Sequence, residues 1–184
     1  MKRLPLTIVS ALFLLTAAFP LTTQAQFKVG PRATISLGDL SDAGADFAIG
    51  ADARYDLSEE VDAPVQLGGA FDYYFADDQQ VVGSNQSAAR TIFTVDLNVH
   101  YMFPTQGTVS PYAGAGVGIT SSSTDDVQVN GVTVQGASTT DTGLNLVGGA
   151  EFNAGSLRPF VQGQFTVVGD IDRFGITGGL LFYL

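Results

Sequence analysis

The chain has 184 residues, 14% of them charged, a net charge of −10 and no cysteine. The missing cysteine excludes disulfides, thiolate metal centres and a lipid-attached N-terminal cysteine. The scattered Lys and Arg residues exclude a nucleic-acid footprint and a basic cluster for anionic lipid headgroups. Hydrophobic residues make up 45% of the chain, yet no stretch after the first 25 is long and apolar enough for a transmembrane helix. The apolar residues must therefore be dispersed in short strands.

The N-terminus reads as a targeting segment. Lys2 and Arg3 form a positive region, residues 4–19 are apolar, and Thr23-Gln24-Ala25 ends on the small residue that signal peptidase requires. The expectation is a cleaved signal peptide over 1–25, a mature chain beginning at Gln26, and one domain over 26–184.

In the mature chain, eight segments alternate with period two, the signature of strands. They run over 27–38, 45–57, 64–75, 90–103, 111–121, 142–153, 158–168 and 173–184, each about the length of a tilted membrane strand. In the first, Phe27, Val29, Ala33, Ile35 and Leu37 share one face while Lys28, Arg32, Thr34 and Ser36 share the other. In the second, Phe47, Ile49, Ala51, Ala53 and Tyr55 oppose Asp46, Asp52, Arg54 and Asp56. The fourth sets Phe93, Val95, Leu97, Val99 and Tyr101 against Arg90, Thr94, Asp96, Asn98 and His100. Asp72, Glu151, Gln162 and Gln164 lie on the polar faces of the third, sixth and seventh, and Arg173, Thr177 and Tyr183 on that of the eighth.

A soluble sandwich or lipocalin-like barrel turns such apolar faces inward; a membrane barrel turns them outward. Three features favour the membrane. The apolar faces are long. The aromatics Tyr55, Phe75, Phe103, Phe152, Phe174 and Phe182 lie near their ends, as an interfacial girdle requires. Small residues such as Gly114, Gly116 and Gly118 on the polar faces suit a narrow lumen. The fold expected is all-β, an eight-stranded antiparallel up-and-down transmembrane β-barrel.

An even strand number returns both termini to one side, which after export is the periplasm. Segments 58–63, 104–110 and 154–157 are then periplasmic turns, and 39–44, 76–89, 122–141 and 169–172 face outward. The third outer loop holds two short alternating runs around Asn130-Gly131, a strong hairpin signal, so its flanking strands are expected to project beyond the bilayer.

Several motifs also carry a family likeness. Residues Lys28-Val29-Gly30-Pro31-Arg32-Ala33, Pro111-Tyr112-Ala113-Gly114-Ala115-Gly116-Val117-Gly118 and Arg158-Pro159-Phe160-Val161 follow one another in the order seen in the outer-membrane β-barrel domain family. The chain resembles that family, small opacity-type and OmpA- or OmpX-like barrels, over essentially all of 26–184. The last strand, from Thr177 through Gly179 to Leu184, is similar to the family's C-terminal insertion signal, with Leu in place of the usual final Phe. The resemblance implies an outer membrane of the Gram-negative type, contact with its lipids, and recognition of the last strand by the barrel assembly machinery. It does not imply one activity.

Candidate chemistry is sparse. Lys28, Arg32, Arg54, Arg90, Arg158 and Arg173 face Asp46, Asp52, Asp56, Asp72, Asp96 and Glu151 in the expected lumen. Buried charges must pair there, so the expectation is a structural ion-pair network, with a narrow conduit or proton path as its rival. His100, the sole histidine, is expected to be a hydrogen-bonded lumen residue rather than a catalytic base. Asp39, Asp42, Asp77, Asp78, Asp125, Asp126, Asp170 and Asp172 populate the outer loops without calcium-loop spacing. No catalytic, cofactor-binding or metal-binding residue and no cofactor is assigned. The function expected is structural or surface interaction with no enzymatic activity; the rivals are a small-solute pore, a lipid-modifying outer-leaflet enzyme and a secreted lipid-binding barrel. No nucleic acid is expected as a partner, and an extracellular one is left unidentified.

Overall fold

The computed structural model describes residues 26–80, 86–129, 131–168 and 171–184. The expected signal peptide, Asn130, Asp170 and part of the second outer loop lie outside the described residues. Eight strands form the barrel: β1 (Phe27–Gly38), β2 (Phe47–Asp56), β3 (Val65–Phe75), β4 (Arg90–Met102), β5 (Val109–Thr124), β6 (Ser138–Phe152), β7 (Leu157–Val168) and β8 (Ile171–Tyr183). Each pairs antiparallel with its chain neighbours, and β1 closes on β8 through Lys28↔Tyr183 to Gly38↔Arg173. Closure leaves no edge along the apolar belt, so every backbone group there is satisfied within the protein, as a bilayer demands. Among the described residues no helix is long and apolar enough to cross a membrane; the strands cross instead.

Alternation settles which side faces which. Leu144 is 68% exposed and Leu146 61%, whereas Asn145 between them is 1% exposed. The same inversion holds for Val95, Leu97 and Val99 outside against Asp96, Asn98 and His100 inside. Burying polar atoms while exposing leucines is stable only if the outside is lipid. The expected aromatic girdles form. Near the end opposite the termini, the outer one in the expected orientation, Phe47 stacks on Phe75 at 6.0 Å, and near the termini Tyr101 meets Phe103 edge-on at 5.3 Å.

At the end carrying both termini the connections are tight. A single helical turn, α2 (Ser58–Val61), joins β2 to β3, and Gly155 takes a positive φ of 74° in the turn between β6 and β7. The outer end is more elaborate. The first outer connection holds α1 (Asp39–Asp42), bracketed by Gly38 and Gly44, both at φ 79°. That left-handed backbone is open to glycine at little cost, and it lets the chain turn sharply inward on either side of α1. The third outer loop carries the expected hairpin, Val127–Val129 paired with Val132–Val134 across Gly131.

Strands β5 and β6 are longer than the sequence pattern indicated, starting or ending at 124 and 138 instead of 121 and 142. Their outer ends are polar on both faces and so show no alternation. They form a ridge with β4, whose ladder with β5 reaches Arg90↔Thr124. On the other side β6 pairs with β7 only from Leu144↔Val167 onward. Among the described residues, 138–142 of β6 are thus paired on the β5 side alone.

Candidate functional site

The lumen is built in three levels. The outermost is apolar. Leu40 of α1 drops between Ala45, Ala48, Tyr74 and Ile92, all buried, and Ala76 packs against them. Ring-like fastenings hold this plug. Arg90 Nη1 donates to the Ala43 carbonyl at 2.9 Å, Asp77 N–H to the Gly44 carbonyl at 2.9 Å, and Asp172 N–H to Asp39 Oδ2 at 2.9 Å. Ser41 hydrogen-bonds Asp46.

The middle level is ionic. Among the described residues four buried cations, Lys28, Arg32, Arg54 and Arg173, face four buried anions, Asp52, Asp72, Asp96 and Glu151. Arg32 bridges Asp52 at 3.1 Å and Asp72 at 3.2 Å, the second an ion contact without hydrogen-bond geometry. Arg173 meets Asp96 at 2.6 Å, and Asn145 donates to the same carboxylate oxygen at 3.0 Å. Arg54, fully buried, contacts Asp52 and Glu151 at 2.9 Å each while its guanidinium lies over the rings of Phe160 and Tyr112. Lys28 completes the chain on Glu151 at 2.6 Å. A cavity of about 10 Å³ remains between Arg32, Asp72, Asp96 and Arg173, room for about one water molecule.

The innermost level is open. At the termini end a vestibule of about 320 Å³ lies below the Lys28–Glu151 pair, with Asp56, Phe103, Arg158 and Tyr183 in its wall.

Three expectations need correction. Asp46 is exposed at the outer rim, not in the lumen, because strand parity lapses before Phe47 where the chain leaves the ladder. Arg90 and Arg158 are only partly buried and join no ion pair in the network; one fastens the plug and the other lines the vestibule. His100 is buried in the lumen, but neither ring nitrogen has a hydrogen-bond partner among the described residues. Its ring lies 4.9 Å from that of Tyr112 instead. It fits because Gly68 and Gly114 flank it: a Cβ at either would come within 2.7 and 2.8 Å of the imidazole. No nucleophile–base pair is built on it.

The loop aspartates fasten turns. Asp126 accepts from Gly136 N–H at 2.8 Å, much as Asp39 accepts from Asp172. Among the described residues no three His, Asp or Glu side chains converge as a metal-ligand set.

Alternation alone did not single out the lumen's apolar members. Tyr74, Ile92, Phe160 and Leu181 lie on the polar-face parity of their strands and are all buried. That parity is the signal for them: a large apolar residue in an otherwise polar register marks a position where the lumen is filled.

A model of the outer membrane protein beta-barrel domain matches residues 8–180. Solved structures with the same architecture include Neisserial surface protein A, at 17% identity over 87% of this chain and 98% of that one, TM-score 0.57. The N-terminal β-barrel domain of Pseudomonas aeruginosa OprF is 17% identical over 88% of this chain and 100% of that one, also at 0.57. Ail, the attachment invasion locus protein of Yersinia pestis, is 15% identical over 86% and 96%, at 0.56. At these identities the likeness is one of fold. No curated protein matches the chain.

Proposed function

The chain belongs to the outer membrane protein beta-barrel domain family, and we propose that it is a structural, surface-interacting barrel that works through its outer end and not as a conduit for solutes. The observation that carries this reading is the ridge. Among the described residues, 138–142 of β6 run past the end of β7, a strand edge of about 17 Å at ~3.4 Å per residue. Its sequence, Ser-Thr-Thr-Asp-Thr, carries one charge, Asp141, and no Lys or Pro to blunt it. Proteins that must avoid strand addition use such devices, and an edge without them suits pairing with an extended segment of a partner. Behind the ridge the lumen is filled by the plug and the ion-pair network, which disfavours solute passage.

The reading includes a direction. Export by the 1–25 segment places both termini and the vestibule on the periplasmic side and the ridge outside. It also makes β8 the segment handed to the assembly machinery. A single thiol tests the direction, because the chain has no cysteine of its own. Thr140→Cys is expected to react with a membrane-impermeant maleimide on intact cells, and Ser58→Cys only after the outer membrane is broken. The reverse pattern would overturn the orientation and with it the surface role.

A further inference from the structure

We propose that the vestibule at the termini end binds a short peptide with free ends, its carboxylate on Arg158 and its ammonium on Asp56.

The vestibule's two deepest charges are already committed. Lys28 and Glu151 are 2.6 Å apart, and Glu151 also holds Arg54. The two charges nearer the mouth are not. Arg158 donates from Nε to the Tyr183 hydroxyl at 2.8 Å and lies over the Tyr183 ring at 5.3 Å. These contacts fix the guanidinium plane, while its terminal nitrogens make no hydrogen bond and no ion pair among the described residues. A guanidinium held by Nε with its outer nitrogens free is the fork that takes a carboxylate bidentately. Asp56 is held in the same way from behind, accepting the Ser58 N–H through Oδ1 at 2.9 Å, and no cation among the described residues reaches it within 4 Å. It is left to accept from an ammonium.

Arg158 and Asp56 line one cavity without pairing. The strands explain this. Asp56 ends β2 and Arg158 begins β7, and the path between them crosses β1 and β8. Three steps of about 4.8 Å separate their backbones by roughly 14 Å along the wall, and both side chains line the cavity, which shortens the gap between the charges to one a short ligand can span. A zwitterion with its charges at opposite ends spans such a gap, whereas a simple anion or cation satisfies only one side. A volume of about 320 Å³ is at the small end of ligand sites, roughly 300–1,000 Å³, which fits two or three residues and not a longer chain.

The test uses the purified mature barrel in lipid nanodiscs, with alanyl-alanine as the probe and amide chemical shifts as the readout. Saturable shifts are expected at the ends of β2 and β4 and the start of β7. Arg158→Gln and Asp56→Asn are each expected to weaken binding by at least tenfold, since a charge-assisted hydrogen bond contributes about 1.5–3 kcal/mol. N-acetyl-alanyl-alanine amide, which carries neither charge, is expected to bind at least tenfold more weakly. Both residues lie outside the ion-pair network, so both variants should fold, with heat-modifiable gel mobility as the check; should one fail, the other decides. Absence of saturable shifts, equal binding of the capped dipeptide, or insensitivity to the folded variants would each overturn the proposal.

Discussion

Lys28 and Glu151 stand 123 residues apart in sequence and 2.6 Å apart in the lumen. The carboxylate is shared: its other oxygen holds Arg54 at 2.9 Å. One buried anion thus joins β6 to both β1 and β2. Removing it by Glu151→Gln leaves Lys28 with no anion within 4 Å among the described residues. Breaking a buried pair on one side costs about 3–5 kcal/mol, and a loss of that size is expected in urea unfolding from lipid vesicles. The double variant Lys28→Met with Glu151→Leu should lose less than the single, because no charge is stranded. A single variant as stable as the wild type would show that the pair is solvated and not structural.

The plug makes a second expectation. Leu40 is the one apolar side chain of α1 that reaches into the lumen. Leu40→Ala removes most of that contact, at a cost of about 2 kcal/mol, the low end for a buried leucine. The cost should appear as faster amide exchange across 39–45 with little change at β5 or β6, since α1 can open without unfolding the barrel. Uniform acceleration through the whole barrel would mean that the plug and the wall form one cooperative unit.

A third prediction concerns β8. Phe182 is 43% exposed on the lipid side, while Tyr183 turns in to accept from Arg158. A charge facing lipid costs about 2–4 kcal/mol at midplane and about 0–1 near the interface, and Phe182 lies one residue from the strand's end. Phe182→Asp should therefore still fold in detergent micelles. On the proposal that β8 is the insertion signal, the same variant should be severely depleted of folded barrel in cells. Tyr183→Asp should be much milder. Equal, severe failure of Phe182→Asp in micelles and cells would remove the signal from the explanation.

How far these features were legible depends on how strongly each residue's environment constrained it. Strand faces were readable wherever lipid lay on one side and lumen on the other, because Leu97 and Asp96 cannot exchange places without placing a charge in hydrocarbon. The rule stops where the membrane stops. Residues 121–124 and 138–141 are polar on both faces, half-buried in β5 and exposed in β6, so Ser, Thr and Asp recur without alternation and the pattern falls short of the ridge. Asp46 was misplaced for a related reason: the sharp turn at Gly44 breaks the count of residues on which parity depends. The plug was not legible at all, since four residues of helix carry no period. The partners within the lumen were equally hidden, because Lys28 with Glu151 and Asp96 with Arg173 are set by barrel closure and not by spacing.

The hairpin across Gly131 yields a fourth expectation. Val132, Thr133 and Val134 are exposed, and among the described residues the two short strands pair only with each other. A short epitope inserted after Gly131 should leave the heat-modifiable mobility unchanged and be labelled by antibody on intact cells, as expected of an exposed loop tip. Loss of folded barrel on insertion would place the hairpin within the structural core of the outer end.

The most direct test of the central claim, that the barrel acts at its outer end with its lumen sealed, is the steady conductance of the purified mature protein in planar bilayers. With Leu40 and Ile92 closing the outer level and Arg54 fully buried in the network below, the current should stay at the lipid baseline, free of stable single-channel steps. Large, long-lived steps from the wild-type barrel would contradict the sealed lumen and make it a pore.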